Sequence, residues 1–477
     1  MRADQALAPR NPVAAPPTSR QGALSIPQAR GLPLLGCIPF LLANPLQFLL
    51  TQRRRLGPVF RVRAPGRDMV VLSGVEANRF MSEEGKDCFV SARFWGGVVR
   101  EWQCPHFISA TDGAVHIDER RALKPSMSRT VADARQQGLV EIVHETVGRY
   151  ARGGSPFSMR ELARTLTNAE LYYLLTGERL KLSPALGKAL AEYQRITFNV
   201  LVLGKWPRLM LKTPGYLLSR RRALAFIARL RRRFEAEPPA DGYFRAALER
   251  HRSDPARRAK ELDFAFLAPF WAGLDTLGSS FVFLVQQLVL DRSLLERVRS
   301  ELDDAIRKEG LSGIPSPETL RKLPLLYGLC METLRLYPVA FASGRTAARD
   351  FTFQGYRIAK GQDVMILTSA THFENRYFKD PLEFDIERYS APRNEHRTKY
   401  AFNPFGRGPH ICLGAAMAES MMLTTVATLL RDYELEAAVP GKRYPMIFDP
   451  SPTLPAAFAV SVRPRQSISY NNRSSTP

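Results

Sequence analysis

The chain is poor in cysteine. It has five in 477 residues (Cys37, Cys88, Cys104, Cys330 and Cys412), odd in number and without regular spacing. That excludes a disulfide framework and fits a reducing compartment. No zinc-type Cys/His spacing and no basic-aromatic repeat occurs, so the sequence offers no nucleic-acid module. Acidic residues are scarce relative to basic ones, 46 Asp+Glu against 68 Lys+Arg, for a formal net charge of +22. The partners such a surface selects are an acidic protein or an anionic membrane. Residues 1–30, rich in Ala, Pro, Gln and Arg, hold no long apolar run. Neither a signal peptide nor a transmembrane anchor is predicted there, and a cytoplasmic protein is expected. Gly31 to Leu50 is more apolar, but Pro33, Pro39 and Pro45 break it into a lead-in loop and a short helix.

What remains is globular: 45% of residues are hydrophobic, enough for a large core. Val59 to Arg63 and Met69 to Leu72 flank Pro65-Gly66, a hairpin signal, and Val75 to Met81 reads as a helix. Cys88 to Asp112, mixed in polarity and rich in aromatics, reads as a long loop. From about Gly113 to Leu430 helical periodicity dominates, interrupted by short strands in Arg349 to Leu367 and an irregular run from Thr371 to Phe405. Tyr444 to Val462 suggests a terminal hairpin. The expectation is a mainly α protein with small β-sheets (α+β). One large domain spans 31–462, between a Pro-rich segment (1–30) and a polar tail (463–477).

The most constrained stretch is Phe402-Asn403-Pro404-Phe405-Gly406-Arg407-Gly408-Pro409-His410-Ile411-Cys412-Leu413-Gly414, which leads into an apolar helical pattern ending near Leu430. A cysteine just before a helix N-terminus is a candidate thiolate, because the dipole and free N–H groups favour negative charge on sulfur. Gly406, Gly408 and Gly414 permit close backbone approach to something flat. On these residues alone, a structural cysteine in a helix-entry turn is the alternative. The loop resembles the haem-binding signature of the cytochrome P450 superfamily, Phe-Gly-x-Gly-x-Arg/His-x-Cys-x-Gly, at Phe405, Gly406, Gly408, His410, Cys412 and Gly414. The resemblance implies haem b with the Cys412 thiolate as axial ligand, inside a P450-like helical domain.

Other segments resemble the same family in the same order. Glu332 and Arg335 share a face of the helical stretch Leu325 to Tyr337, and Arg388 follows. They are similar to the family's Glu-x-x-Arg pair and its downstream Arg, which implies structural roles. Ala272-Gly273-Leu274-Asp275-Thr276 lies within an apolar helix, Phe264 to Leu290. A threonine there can bond back to the i−4 carbonyl. The segment looks like the family's oxygen-activation motif, which implies that Asp275 and Thr276 deliver protons for heterolytic O–O cleavage. Pro269, one turn earlier, removes a helix hydrogen bond and widens a kink. His116 and Arg120, at i and i+4, resemble the family's His-x-x-x-Arg. With Arg345 and His410 they are the expected partners of the haem propionates.

A substrate pocket is expected from Phe94, Trp95, Phe266, Phe270, Ala272, Val339, Phe341 and Leu454, all apolar or aromatic, which fits a lipophilic substrate. His106 is a further pocket candidate, while His144, His251 and His396 read as surface residues. The stretch Phe198 to Phe234 joins an apolar loop with Trp206 to Arg220–Arg222 and Arg231–Arg233, a pattern suited to peripheral contact with an anionic membrane. The resemblance implies a haem-thiolate monooxygenase using O2 on an apolar small molecule. The sequence shows no flavin or iron–sulfur segment, so electrons are expected from a ferredoxin or flavodoxin with its NAD(P)H reductase. A basic face of Arg120, Arg121, Lys124, Arg129 and Arg407 would steer that partner. Two alternatives stay open: a peroxide-dependent peroxygenase or hydroperoxide isomerase, which needs no proton relay, and a non-enzymatic haem protein binding a lipid or gas.

Overall fold

The computed structural model describes residues 24–179 and 183–465; the expected N-terminal segment up to residue 23 and the tail beyond 465 lie outside them. The helices that frame the site are α1 (Pro45–Leu56), α2 (Val75–Ser82), α3 (Ala92–Trp102), α4 (Gly113–Leu123), α5 (Gln136–Arg152) and α6 (Met159–Thr176). They continue with α7 (Pro184–Thr197), α8 (Pro214–Ala236), α9 (Tyr243–Arg252), α10 (Ala259–Leu290), α11 (Pro324–Leu336) and α12 (Ala415–Asp432). Helix α10 is the spine. At its start Arg258 N donates to Glu261 Oε1 at 3.2 Å, and 78% of its most apolar stretch is buried inside the protein. It is the one helix among the described residues long and apolar enough to cross a membrane, and here that length is buried in the core.

Strands β1 (Val59–Ala64), β2 (Arg67–Ser73), β3 (Phe89–Val90), β4 (Phe157–Ser158), β5 (Ser343–Ala347), β6 (Phe351–Phe353), β7 (Tyr356–Ile358) and β8 (Asp363–Leu367) precede α12; β9 (Tyr433–Ala437), β10 (Ile447–Phe448), β11 (Pro452–Thr453) and β12 (Ala459–Pro464) follow it. The main sheet runs β1-β2-β8-β5-β3. Its β1–β2 hairpin turns at Pro65-Gly66, where Gly66 takes φ 73°.

Three segments differ from the expectation. Cys88 to Asp112 is not one loop: it contains β3 and the helix α3, whose apolar face packs inward through Val98 and Trp102. Aromatic residues had hidden that helical period. The C-terminal hairpin is only the short β10–β11 pair, because β12 leaves it to pair with β9 and β4. The strands expected from Arg349 onward begin earlier, since β5 already includes Arg345.

Candidate active site

The cysteine loop is folded by its own backbone. Asn403 O accepts from Gly406 N at 3.2 Å, Gly408 O from Ile411 N at 3.1 Å and Phe405 O from Cys412 N at 3.0 Å. Gly406 and Gly408 have φ 73° and 75°, a region that L side chains avoid. At Gly408 a Cβ would also meet the Met81 carbonyl of α2 at 2.8 Å. Gly414 then caps α12. Cys412 is the exposed one of the five cysteines, yet burial pushes its thiol pKa up, against opposing pulls from the Gly414 backbone and Arg120. Both hold together if the sulfur opens onto an internal space. The expected helix-entry stabilisation of the thiolate is therefore present but outweighed by desolvation.

Behind the loop lies a fully buried ionic cluster. Glu332, Arg335 and Arg388 each have no exposure. Arg335 donates to both Glu332 oxygens at 2.7 and 2.8 Å, and Arg388 Nε to Glu332 Oε1 at 3.1 Å. Tyr389 OH and the Asp385 amide complete the carboxylate at 2.9 and 3.0 Å. The spare Arg335 donors go to the His372, Pro381 and Glu383 carbonyls. Such burial is tolerable only because every donor is used. His372, which sequence reasoning missed, links the cluster to the loop. Its Nδ1 donates to Arg335 O at 3.1 Å, while Nε2 accepts from Asn403 N at 2.9 Å. Desolvation, helped by Arg335, holds its pKa down at about 3, so it stays neutral in the tautomer this chain of bonds requires.

The expected acid–alcohol pair lies on α10. Ala265, Ala268, Ala272 and Thr276 recur at helical spacing and none is fully buried, Ala272 being exposed. Thr276 Oγ1 donates to Ala272 O at 2.8 Å, the expected back-bond. Asp275 is 7% exposed and accepts from Ser451 N at 3.2 Å. Burial pushes its pKa up, opposed by Ser451, Arg164 and Arg160.

A family model described as cytochrome P450 matches residues 26–456. The chain belongs to the cytochrome P450 family. It is 27% identical over 431 residues to a cytochrome P450 120 of Synechocystis sp., covering 88% of this chain and 93% of that one. Against the sterol 14alpha-demethylase of Mycobacterium bovis it is 26% identical, covering 84% and 89%. A solved structure of retinoic acid bound cyanobacterial CYP120A1 superposes with a TM-score of 0.80 at 24% identity, covering 93% of this chain and 100% of that chain; at that identity the likeness speaks for the fold. This P450 is a haem-dependent monooxygenase, an oxidoreductase.

The residues present fit haem. Arg345 is 9% exposed, and its only hydrogen bond is to its neighbour's carbonyl, Gly344 O, at 2.7 Å. No carboxylate lies within ion-pairing distance of it among the described residues, and burial pushes its pKa down to about 10, opposed only through space by Asp112. A buried cation lacking a counter-ion is costly, and an anionic haem substituent would supply one. Arg120 is half-buried and likewise has no hydrogen bond or ion pair among the described residues. His116 is placed differently from the expectation: its ring nitrogens lie 2.9 and 3.1 Å from the Ile108 and Pro409 carbonyls, clamping α4 to the loop. Its ring lies 4.0 Å from that of His410, whose Nε2 is 3.1 Å from both Asp112 Oδ1 and Ser91 Oγ.

The distal wall departs further. Phe94 and Trp95 are half-buried in α3, with Trp95 edge-on to Phe107 at 5.5 Å and to Phe198 at 6.2 Å. Phe266 and Phe270 are core residues instead: Phe266 stacks on Phe244 of α9 at 4.2 Å, and Phe270 lies 6.3 Å from the same ring. Both sit across the helix from the Ala272 stripe. Sequence proximity suggested the pocket, and helical phase decided otherwise. Leu454 is also core, at 1% exposure, while Val339 and Phe341 are half-buried, Phe341 edge-on to Phe448. His106 bonds Glu261 at 2.8 Å at the start of α10 instead of lining the wall. His396 is half-buried against Tyr389. Arg407 is turned inward, bonding Asn403 Oδ1 and Phe402 O, so it is not free to dock a partner.

Proposed function

We propose that this P450 hydroxylates a lipophilic small molecule of the steroid, terpenoid or fatty-acid type. The observation that carries the reading is the half-buried aromatic wall of Phe94, Trp95, Phe107 and Phe198, which packs on Phe264 and Trp271 of α10 next to the exposed Ala272. Cys412 would hold the haem, with Arg120, Arg345 and His410 around its acid groups and Phe405 and Gly414 shaping the cradle. Bound there, haem supplies the oxygen chemistry, and the thiolate donates electron density that favours O–O cleavage. The protein's part is to exclude water, orient the C–H bond and hold protons at Asp275 and Thr276. That pair favours O2-dependent monooxygenation over peroxide-driven chemistry.

A carbon monoxide difference spectrum of the dithionite-reduced protein, beside Cys412→Ser, tests the ligation. A strongly red-shifted Soret band absent from the variant is expected; a band like that of a histidine-ligated haem would sink the assignment. Retinoic acid, a sterol and a long-chain fatty acid, titrated in turn, should include one that shifts the Soret band, and no response to any would refute this substrate class. Relatives lend the choice of probes: one is named for sterol demethylation and one was solved with retinoic acid.

For electron supply, the reading is an acidic ferredoxin or flavodoxin docking on exposed Arg121, Lys124 and Arg129. Reduction rates should fall steeply with salt, and salt-independent rates would count against it. The protein is read as cytoplasmic with peripheral membrane contact through Leu209, Leu217 and Leu218, which are 69%, 51% and 49% exposed beside Arg208 and Lys212. Replacing the three leucines by serine should release it from anionic liposomes.

A further inference from the structure

Hairpin β10–β11, from Phe448 to Ser451, touches α10, α6 and the α7–α8 region, elements that also pack on one another. On one side, Ser451 N donates to Asp275 Oδ2 at 3.2 Å. On the other, Lys205, in the segment between α7 and α8, donates to Phe448 O at 2.7 Å. Asp449 stands between them. Its carbonyl accepts from Arg160 of α6 at 2.8 Å, its Oδ2 lies 3.4 Å from the same guanidinium, and its Oδ1 lies 3.5 Å from Arg195 of α7. Arg195 is itself fixed by two bonds to Glu192, at 2.8 and 2.9 Å, and sits 4.8 Å over the Trp206 ring. Residues 198–212, which carry the wall residue Phe198, are therefore tied to the hairpin directly at Lys205 and indirectly through Trp206 on Arg195, and the hairpin is tied to Asp275.

The acid depends on that tie. Asp275 and its neighbour Thr276 do not bond one another, since Thr276 Oγ1 is occupied by Ala272 O. Ser451 supplies the hydrogen bond that the buried carboxylate needs. Arg164, one turn beyond Arg160 and without a hydrogen bond or ion pair among the described residues, joins Arg160 in acting on Asp275 through space.

We propose that Asp449 is a positioning residue through which segment 198–212 sets the orientation of the Asp275 carboxylate, so that closing this segment over a substrate fixes the proton donor. The proposal rests on the reading of Asp275 as that donor. With the segment lifted, the Lys205–Phe448 and Trp206–Arg195 contacts are lost, Arg195 is no longer held against Asp449, the hairpin is freed and Ser451 releases the carboxylate. With it seated, the carboxylate is held for transfer. Proton delivery is thereby timed to enclosure of the substrate.

Hydrogen–deuterium exchange on the haem-loaded protein tests the tie without any substrate. Lys205→Met should speed exchange about fivefold or more in residues 198–212, 446–456 and 270–280 together. Adding Asp449→Asn should produce no further increase in 270–280, because both changes cut the same path. A purely structural Asp449 would loosen the hairpin but leave 270–280 insensitive to Lys205. Acceleration confined to 198–212, or additive effects, would overturn the proposal. The reading beneath it is tested separately by Asp275→Asn in reductase-driven turnover of the lipid that shifts the Soret band. Oxygen insertion should fall about a hundredfold, with consumed NAD(P)H diverted to hydrogen peroxide. Unchanged turnover with the exchange result intact would remove the proton-donor role and leave the mechanical tie standing.

Discussion

Behind Cys412 the protein is held by hydrogen bonds between side chains of no exposure, whereas the wall across from it is built of half-buried aromatic rings in edge contact. Glu332 alone accepts from two arginines, a tyrosine and a backbone amide, and His372 passes that rigidity to Asn403. Trp95, by contrast, touches Phe94, Phe107 and Phe198 at 5.4, 5.5 and 6.2 Å, contacts that tolerate sliding. A ligand loop needs a fixed position, and directional bonds supply it. A pocket for an apolar molecule needs shape and adaptability, and dispersion supplies those.

The contrast can be broken most directly at Glu332. Glu332→Gln leaves two buried guanidiniums short of charge and should cost about 3–5 kcal/mol. The expected outcome is loss of haem-loaded protein, read as the Soret-to-protein absorbance ratio. A stable, fully loaded variant would show that the cluster does not hold the loop. Trp95→Ala is the counterpart on the other side. It should weaken binding of the responding lipid about tenfold, or about 1.4 kcal/mol, while Tm falls by only a few degrees. A stability loss matching that of Glu332→Gln would erase the difference between the two regions.

A separate test lies away from both, at Glu170 in α6. Thr425 Oγ1 donates to one of its oxygens at 2.5 Å, and the other has no partner among the described residues. Burial pushes its pKa up from the ordinary 4.5 to about 8. A carboxyl raised in this way stabilises the fold fully below its unfolded value, and that stabilisation is lost as pH rises toward about 8. Wild-type Tm should therefore drop between pH 5 and pH 8 by more than that of Glu170→Gln. Equal drops in the two proteins would mean that Glu170 is ionised in the fold.

The cysteine loop was legible from residues alone because its requirements are local. Positive φ at Gly406 and Gly408 and entry into α12 depend on the backbone within a few residues. The Glu332–Arg335 spacing and the Thr276 back-bond were readable for the same reason, since one helical turn sets each. Long-range partners were not readable. His372 and Asp449 carry no motif, and each gains its role from segments distant in the chain.

Helical phase was the other thing the sequence withheld. Phe266 and Ala272 lie on one apolar helix, and only the packing of Phe266 against α9 tells which side faces the cavity. Thus the sequence by itself determined the family, the ligand loop and the acid–alcohol pair, because each is written in adjacent residues. Tertiary structure alone decided which aromatics form the wall, how Arg345 is buried with no ion pair among the described residues, and what holds Asp275. Burial and contact depend on every element packed around a site, and adjacent residues do not record them.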